Sequence, residues 1–322
     1  VKIPANRVRD LFKFLQERHR IHERRYSGQP KPWTKNPILR DYRFTENYRE
    51  WDKTTIWLRK HWREPHKNDR LCWFAMAVAR YINWPPTLEA IGYPVPWNRA
   101  RVVKILDDIR TGQGERWLKR VSPATLNLFP GENSQVFGSS YKIDAGQSRQ
   151  IFGGAYFLNS IGPKIQSVVN DRLHLLWVNR KRITEELYAC KSLAELYEVV
   201  RAQYGFGTFM AAQLIAELKY LPSWGPKRML DWWTWAASGP GSRLGMGYLL
   251  STDGSKSKSV TREAEWYKLL LELDKWLAPM FKKAKMPRAH MQDTQGFLCE
   301  YAKHEKMRLG HGRPKQKFKG AA

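Results

Sequence analysis

Apolar residues recur at three- and four-residue spacing in segment after segment of this chain, and the sharpest break in that pattern is Gly205-Phe206-Gly207. Such spacing lines one face of an α-helix and leaves little room for period-two strands. It predicts helices over residues 7–25, 45–62, 68–84, 87–91, 99–109, 164–178, 192–204, 208–221, 263–281 and 292–309. Between 111 and 150 the periodicity gives way to Gly, Ser, Asn and Pro. There Val136-Phe137-Gly138-Ser139-Ser140-Tyr141 is echoed by Ile151-Phe152-Gly153-Gly154-Ala155-Tyr156, which reads as a strand hairpin or as a chance repetition. Residues 249–260 are rich in Ser and Lys and read as a mobile loop, and residues 310–322 as a flexible basic tail. The expected fold is mainly α.

Charge narrows the partner. Lys and Arg number 56 against 30 Asp and Glu, a formal charge of +26 over 322 residues. So much like charge opposes compaction unless a polyanion neutralises it, which favours nucleic acid over a merely solvated surface. No apolar run is long enough to span a bilayer, so no membrane partner is expected. The three cysteines, Cys72, Cys190 and Cys299, form neither a disulfide framework nor a CxxC metal site. With no secretory signal at the start, the cytoplasm is the expected compartment. Of the fifteen Trp, most must pack helices, while a minority beside glycine and arginine could stack on bases.

Several constellations carry chemistry, each beside a plainer reading. The Gly205-Phe206-Gly207 turn, followed by Thr208, suits a helix–hairpin–helix in which backbone approaches a DNA phosphate; an ordinary αα-hairpin is the alternative. Asp231-Trp232-Trp233-Thr234-Trp235 offers a carboxylate and aromatic faces, although Trp233 and Trp235 also suit packing. Ser238 to Arg243 could form an anion nest at a helix start through Ser242 and Arg243, or simply cap that helix. No G-x-x-x-x-G-K-[ST] sequence occurs, which disfavours a P-loop kinase. Asp293 and Glu300 share a face of a regular helix, and His290 with Asp293 is too sparse for a metal site, so capping or an internal ion pair is the plainer role. Arg18-His19-Arg20, Arg24 and Arg25 precede a Pro-Lys-Pro-Trp turn, and Arg40, Arg43 and Arg49 follow it. These arginines suit phosphate oxygens, with a solvated basic face as the equal alternative.

In order along the chain, ERHRIHERRYSGQPKPWT (17–34), NPILRDYRFTENYRE (36–50), WFAMAVARYINWP (73–85), IFGGAYF (151–157), GFGTFMAAQLIAELKY (205–220), DWWTWAASGPGSRLG (231–245) and QDTQGFLCEYAKHEKMRLGHGRP (292–314) resemble the bacteriophage thymine-hypermodification proteins. These are the amino acid:DNA transferases, also known as α-glutamyl/putrescinyl thymine pyrophosphorylases, together with the related helical domain of 5-hydroxymethyl-deoxyuridine DNA kinases. The resemblance covers nearly the whole chain and departs from it at 119–150, which looks like an irregular or β insertion. It implies a helix–hairpin–helix DNA-glycosylase-like fold. The expected parts are a basic helical part (1–118), an insertion loop (119–150), a catalytic part (151–309) and the tail (310–322), together forming one compact unit.

The resemblance also implies a reaction: pyrophosphate on 5-hydroxymethyluracil in double-stranded DNA is displaced by a free amino acid, with glycine favoured. A 5-hydroxymethyl-deoxyuridine DNA kinase would supply that substrate. In this reading Asp231 activates or anchors the amine, with Asp293 and Glu300 as reserve carboxylates. Arg40, Arg43, Arg49, Ser242 and Arg243 hold pyrophosphate, and Trp233 or Trp235 stacks on a flipped base. Gly205, Gly207, Thr208, Arg24 and Arg25 contact DNA, and Cys299 could assist by adding to the ring. No cofactor is required; Mg²⁺ on the pyrophosphate is compatible but has no clear ligand set. The competing expectations are a glycosylase-like hydrolase that excises a modified base and a non-catalytic DNA-binding partner of a DNA kinase.

Overall fold

The computed structural model describes residues 2–113, 115–131, 135–138, 161–251 and 259–312. Helices dominate, and no strand occurs among the described residues. The 136–141/151–156 hairpin expectation lies mostly outside the described residues, as does the basic tail beyond Gly312. The chain folds as two compact units: one joins Val1–Asp52 to Trp233–Ala322, and the other is Lys53–Trp232.

The discontinuous unit is built on four helices, Ala5–Tyr26, Pro240–Leu250, Glu263–Lys283 and Met291–Arg308. Their apolar faces meet in one core that includes Leu11, Leu15, Met246, Trp266, Leu270, Leu273, Phe297 and Leu298. Glycine decides how closely two of them pack. A Cβ on Gly245 would lie 2.0 Å from the Leu298 carbonyl oxygen, and one on Gly241 would lie 3.1 Å from Cys299 Sγ. Two glycines one turn apart therefore let the Pro240–Leu250 and Met291–Arg308 backbones touch. The predicted 45–62 helix does not form as one piece. Tyr48 is extended, Arg49–Trp51 makes a single 3₁₀ turn, Asp52 is extended again, and the helix starts only at Lys53, in the other unit.

The 53–232 unit centres on Cys72–Ile82, a helix buried on every side. Glu217 lies fully buried between Arg63 and Arg80, bonded to Arg63 Nη1 at 3.0 Å and also to Arg80. Burying three charges is tolerable because each guanidinium meets the same carboxylate. The helices Leu193–Arg201 and Thr208–Leu218 flank the Gly205 turn as an αα-hairpin. Gly205 has φ +85°, and a Cβ there would strike Arg172 Cδ at 2.5 Å, so glycine is required. The Arg180–Ala189 helix lies outside the predicted set, because its apolar stripe reduces to Ile183 and Leu187 among charged residues.

Candidate functional site

The first helix turns two arginines toward its apolar face. Arg7 and Arg18 sit three turns apart on the stripe that also carries Leu11 and Phe14, and they are only 6% and 7% exposed. Burial lowers the Arg18 pKa from its usual value, while Glu300 and Glu46 nearby work the other way. Arg18 Nη2 donates to the Thr45 carbonyl, and its guanidinium lies 5.1 Å from the Phe14 ring and 5.9 Å from that of Phe44. Its Nη1 is buried without a hydrogen-bond partner among the described residues.

Arg18 lines a cavity of ≈ 90 Å³ whose other cations are Arg25, Lys31 and Arg40 and whose one carboxylate is Glu46. Trp33, Tyr42 and Phe44 supply aromatic wall. Asn36 fixes one side by accepting from Ile38 N (3.0 Å) and Leu39 N (3.2 Å), which starts the short Pro37–Asp41 helix. Arg40 grips Asp41 through Nε and Nη2 (2.6 and 3.1 Å) at the exposed rim, and this bonding raises its pKa. Arg24 donates to the Trp33 carbonyl, and Trp33 Nε1 donates to Gln29 O at 2.8 Å, so the tryptophan loop is pinned to the helix end. Glu46 is shared by His22 Nδ1 (3.0 Å) and Arg25 Nη1 (3.2 Å). Four cations against one already paired carboxylate leave the cavity positive, with room for several waters or one phosphate-sized group.

Asp293 and Glu300 lie two turns apart on the Met291–Arg308 helix and bracket the segment that walls this cavity. Glu300 Oε2 accepts from Thr45 N (3.2 Å), and Asp293 Oδ1 accepts from Arg49 N (3.1 Å). Their shared face is as the spacing implied. Asp293 Oδ2 also meets His290 Nδ1 at 3.0 Å, both side chains being buried. The contact sets a carboxylate at ion-pair distance from the imidazole ring. Beside this pair stands Trp233, 38% exposed, its ring 6.2 Å from that of His290 and capped by Arg288 at 4.3 Å.

Other candidate residues take different roles. Asp231 caps a helix: its two oxygens accept from Leu193 N (2.6 Å) and Ala194 N (3.0 Å) at the start of Leu193–Arg201. Both oxygens already face helix N–H donors, so the geometry does not favour it as a free base. Trp235 is 8% exposed, whereas a stacking platform needs an open face. The nest expected at 238–243 is a cap: Ser242 Oγ accepts from Gly239 N (3.1 Å), and Arg243 Nε and Nη2 donate to Ser238 Oγ (3.1 and 2.7 Å). Arg243 also reaches the Thr261 carbonyl, which ties the loop shut. Burial pushes the Cys299 thiol up to about 12, so it is protonated near neutrality and unsuited to attack a ring. The Arg43 carbonyl accepts from Lys303, and Arg49 meets Asp293 through its backbone. In the other unit, Gly207 and Thr208 open the second hairpin helix with no atom crowding Gly207, while Phe206 is buried.

Arg18, Lys31 and Trp33 complete the cavity; the sequence marks Arg18 among the arginines before the Pro-Lys-Pro-Trp turn but does not separate it from its neighbours. A signal exists for Arg18: it stands at the apolar spacing of the first helix, after Leu11 and Leu15, where a solvated arginine does not belong.

No helix among the described residues is long and apolar enough to cross a membrane, and no cluster of three or more His, Cys, Asp or Glu could hold a metal ion. No curated protein and no solved structure matches the chain. One family model does, described as 5-hmdU DNA kinase, helical domain, over residues 5–115 and 126–313. The unmatched interior stretch, 116–125, is shorter than the departure expected at 119–150. With its match running almost end to end, this chain belongs to that helical-domain family of 5-hydroxymethyl-deoxyuridine DNA modification.

Proposed function

We propose that the chain displaces pyrophosphate from 5-pyrophosphoryloxymethyl-deoxyuridine in DNA with the amine of an amino acid. The observation that carries this reading is the positive, aromatic-walled cavity around Arg18, in a chain whose family concerns 5-hmdU DNA. Arg18, Arg25 and Lys31, with Arg40 at the rim, neutralise the leaving group. The exocyclic C–O bond breaks with its electron pair passing to pyrophosphate, the amine nitrogen forms the new C–N bond, and one amine proton is lost. His290, beside Asp293, is the group we assign to take that proton; Trp233, and Trp33 at the cavity, are the platforms for a flipped base. The hairpin at Gly205, Gly207 and Thr208 contacts the DNA backbone. A 5-hydroxymethyl-deoxyuridine DNA kinase activity supplies the substrate, in keeping with the family's description. No step is assigned to a metal ion.

The test is pyrophosphate release from pyrophosphorylated DNA with and without amino acids. Amino-acid-dependent release supports transfer, and release with free base and abasic sites would instead show excision. The family's description favours one further reading, a helical module that presents DNA to a kinase. DNA binding without any pyrophosphate release would establish that reading and end the first.

A further inference from the structure

A second cavity in the same unit adjoins the first at Leu39, the residue common to both linings. It measures ≈ 340 Å³, within the ~300–1,000 Å³ range of small-molecule sites. The wall between the cavities also contains a hydrogen bond from Thr34 Oγ1, in the first lining, to Glu17 Oε1, in the second (2.7 Å). We infer that this second cavity binds the free amino acid, as its zwitterion; the inference rests on the transfer reading and names where the second substrate sits.

Charge balance is the first argument. In a chain of +26, the first cavity sets Arg18, Arg25 and Lys31 against Glu46, with Arg40 matched by Asp41 at its rim, whereas the second sets Arg7, Lys13 and Arg308 against Asp10, Glu17 and Glu305. A balanced lining gives a phosphate no net attraction but matches a ligand that carries both signs a few ångströms apart. Availability is the second. Lys13 is exposed and makes no ion pair among the described residues, and Arg308, whose Nε and Nη2 bond Glu305, keeps Nη1 at the rim; these take the carboxylate. Asp10 holds Arg7 through Oδ2 (2.8 Å), leaving its other oxygen to face the ammonium, while Glu17 is already engaged by Thr34, Arg20 and Arg24.

The third argument is an orphaned group. Tyr301, 1% exposed, lines the cavity, and its hydroxyl is buried with no hydrogen-bond partner among the described residues. Leaving a buried hydroxyl unmet costs free energy, which marks this wall of the cavity as incompletely satisfied. Beneath it, Glu305 is held rigid by Arg7 (3.0 Å), Arg308 (2.7 Å) and His304 (3.2 Å), so the floor is set before the ligand arrives. The first helix thus sends one buried arginine to each cavity, Arg18 to the phosphate side and Arg7 to the zwitterion side.

The test is equilibrium dialysis of the full chain, without DNA, against glycine and serine, with glycinamide and N-acetylglycine as probes lacking one charge. Glycine or serine should bind, and each singly charged probe should bind about tenfold or more weakly. Tyr301→Phe and Arg308→Gln should raise the amino-acid KM about tenfold while leaving the Kd for pyrophosphorylated DNA unchanged. Unaltered amino-acid KM in both variants while transfer continues would overturn this site and spare the transfer reading. Amino-acid binding sensitive to both variants, with no transfer to DNA, would uphold the site and sink that reading. Wild-type chain that binds neither amino acid overturns the site.

Discussion

Replacing Asp231 separates a cap from a catalyst. Its oxygens satisfy Leu193 N and Ala194 N, and Ser192 Oγ accepts from Glu195 N at 3.1 Å, so three donors at the start of one helix are met by two side chains. An alanine at 231 leaves two of these donors to water and removes a negative charge from the positive end of the helix. Cap loss and the dipole term together make this about 1–2 kcal/mol. Asn keeps one acceptor oxygen, so Asp231→Asn should cost about 0.5–1 kcal/mol. In a unit of this size each kcal/mol moves the thermal midpoint by about 2–4 °C. The assay pairs a thermal melt with a transfer rate measured well below the melt. The expected result is an earlier melt, deeper for Ala than for Asn, with kcat within about twofold of wild type. General-base loss would instead cost about 10²–10⁴ in rate. An Asp231→Asn chain with an unchanged melt and a rate reduced that far would refute the capping role and restore Asp231 as the base.

Other outcomes follow from the packing and the charges. Gly245→Ala should destabilise by about 1–3 kcal/mol, because a Cβ 2.0 Å from the Leu298 oxygen forces two helices apart. Gly296→Ala, where a Cβ meets nothing within 4 Å, should stabilise by about 0.5–1 kcal/mol; urea melts compare the pair. Cys299→Ala should retain transfer, and the wild-type thiol should resist alkylation at pH 8, since burial holds it at about 12. Burial disfavours the Glu305 carboxylate, yet bonds from His304, Arg308 and Arg7 overcome this and hold its pKa at about 2, below the ordinary 4.5. Its stabilisation is therefore complete above pH 4.5 and fades as pH falls toward 2. That contribution is about 3 kcal/mol, and Glu305→Gln should lose most of this part of the acid limb in pH-dependent melts.

Helices with a clean apolar stripe were legible to within a few residues. The spacing placed 263–281 where Glu263–Lys283 forms, and 99–109 where Arg99–Arg110 forms. Helical spacing misled at 45–62, where Tyr48 and Trp51 pack in one unit and Trp57 and Leu58 in the other, so one periodic run serves two cores. Local chemistry flagged Asp293 and Glu300 but could not reveal their partners, because the Arg49–Asp293 and Thr45–Glu300 bonds join residues some 250 positions apart. The acid, tryptophan and glycine run at 231–245 drew attention for its composition. Much of that composition serves packing: Asp231 caps, Gly241 and Gly245 admit a neighbouring helix, and Arg243 closes a loop. The cavity instead recruits Arg18 from an apolar helix face, and the basic cluster that contains it does not show which of its arginines is buried.

Transfer itself is tested most directly by mass. Pyrophosphorylated 5-hydroxymethyluracil DNA, incubated with the purified chain and glycine or serine, is digested to nucleosides and analysed by mass spectrometry. Transfer predicts an intact thymidine-like nucleoside heavier by the amino acid, formed with stoichiometric pyrophosphate and reduced about tenfold or more by Arg18→Gln. Unmodified 5-hydroxymethyl-deoxyuridine, or abasic sites with free base, and no amino-acid adduct would contradict it.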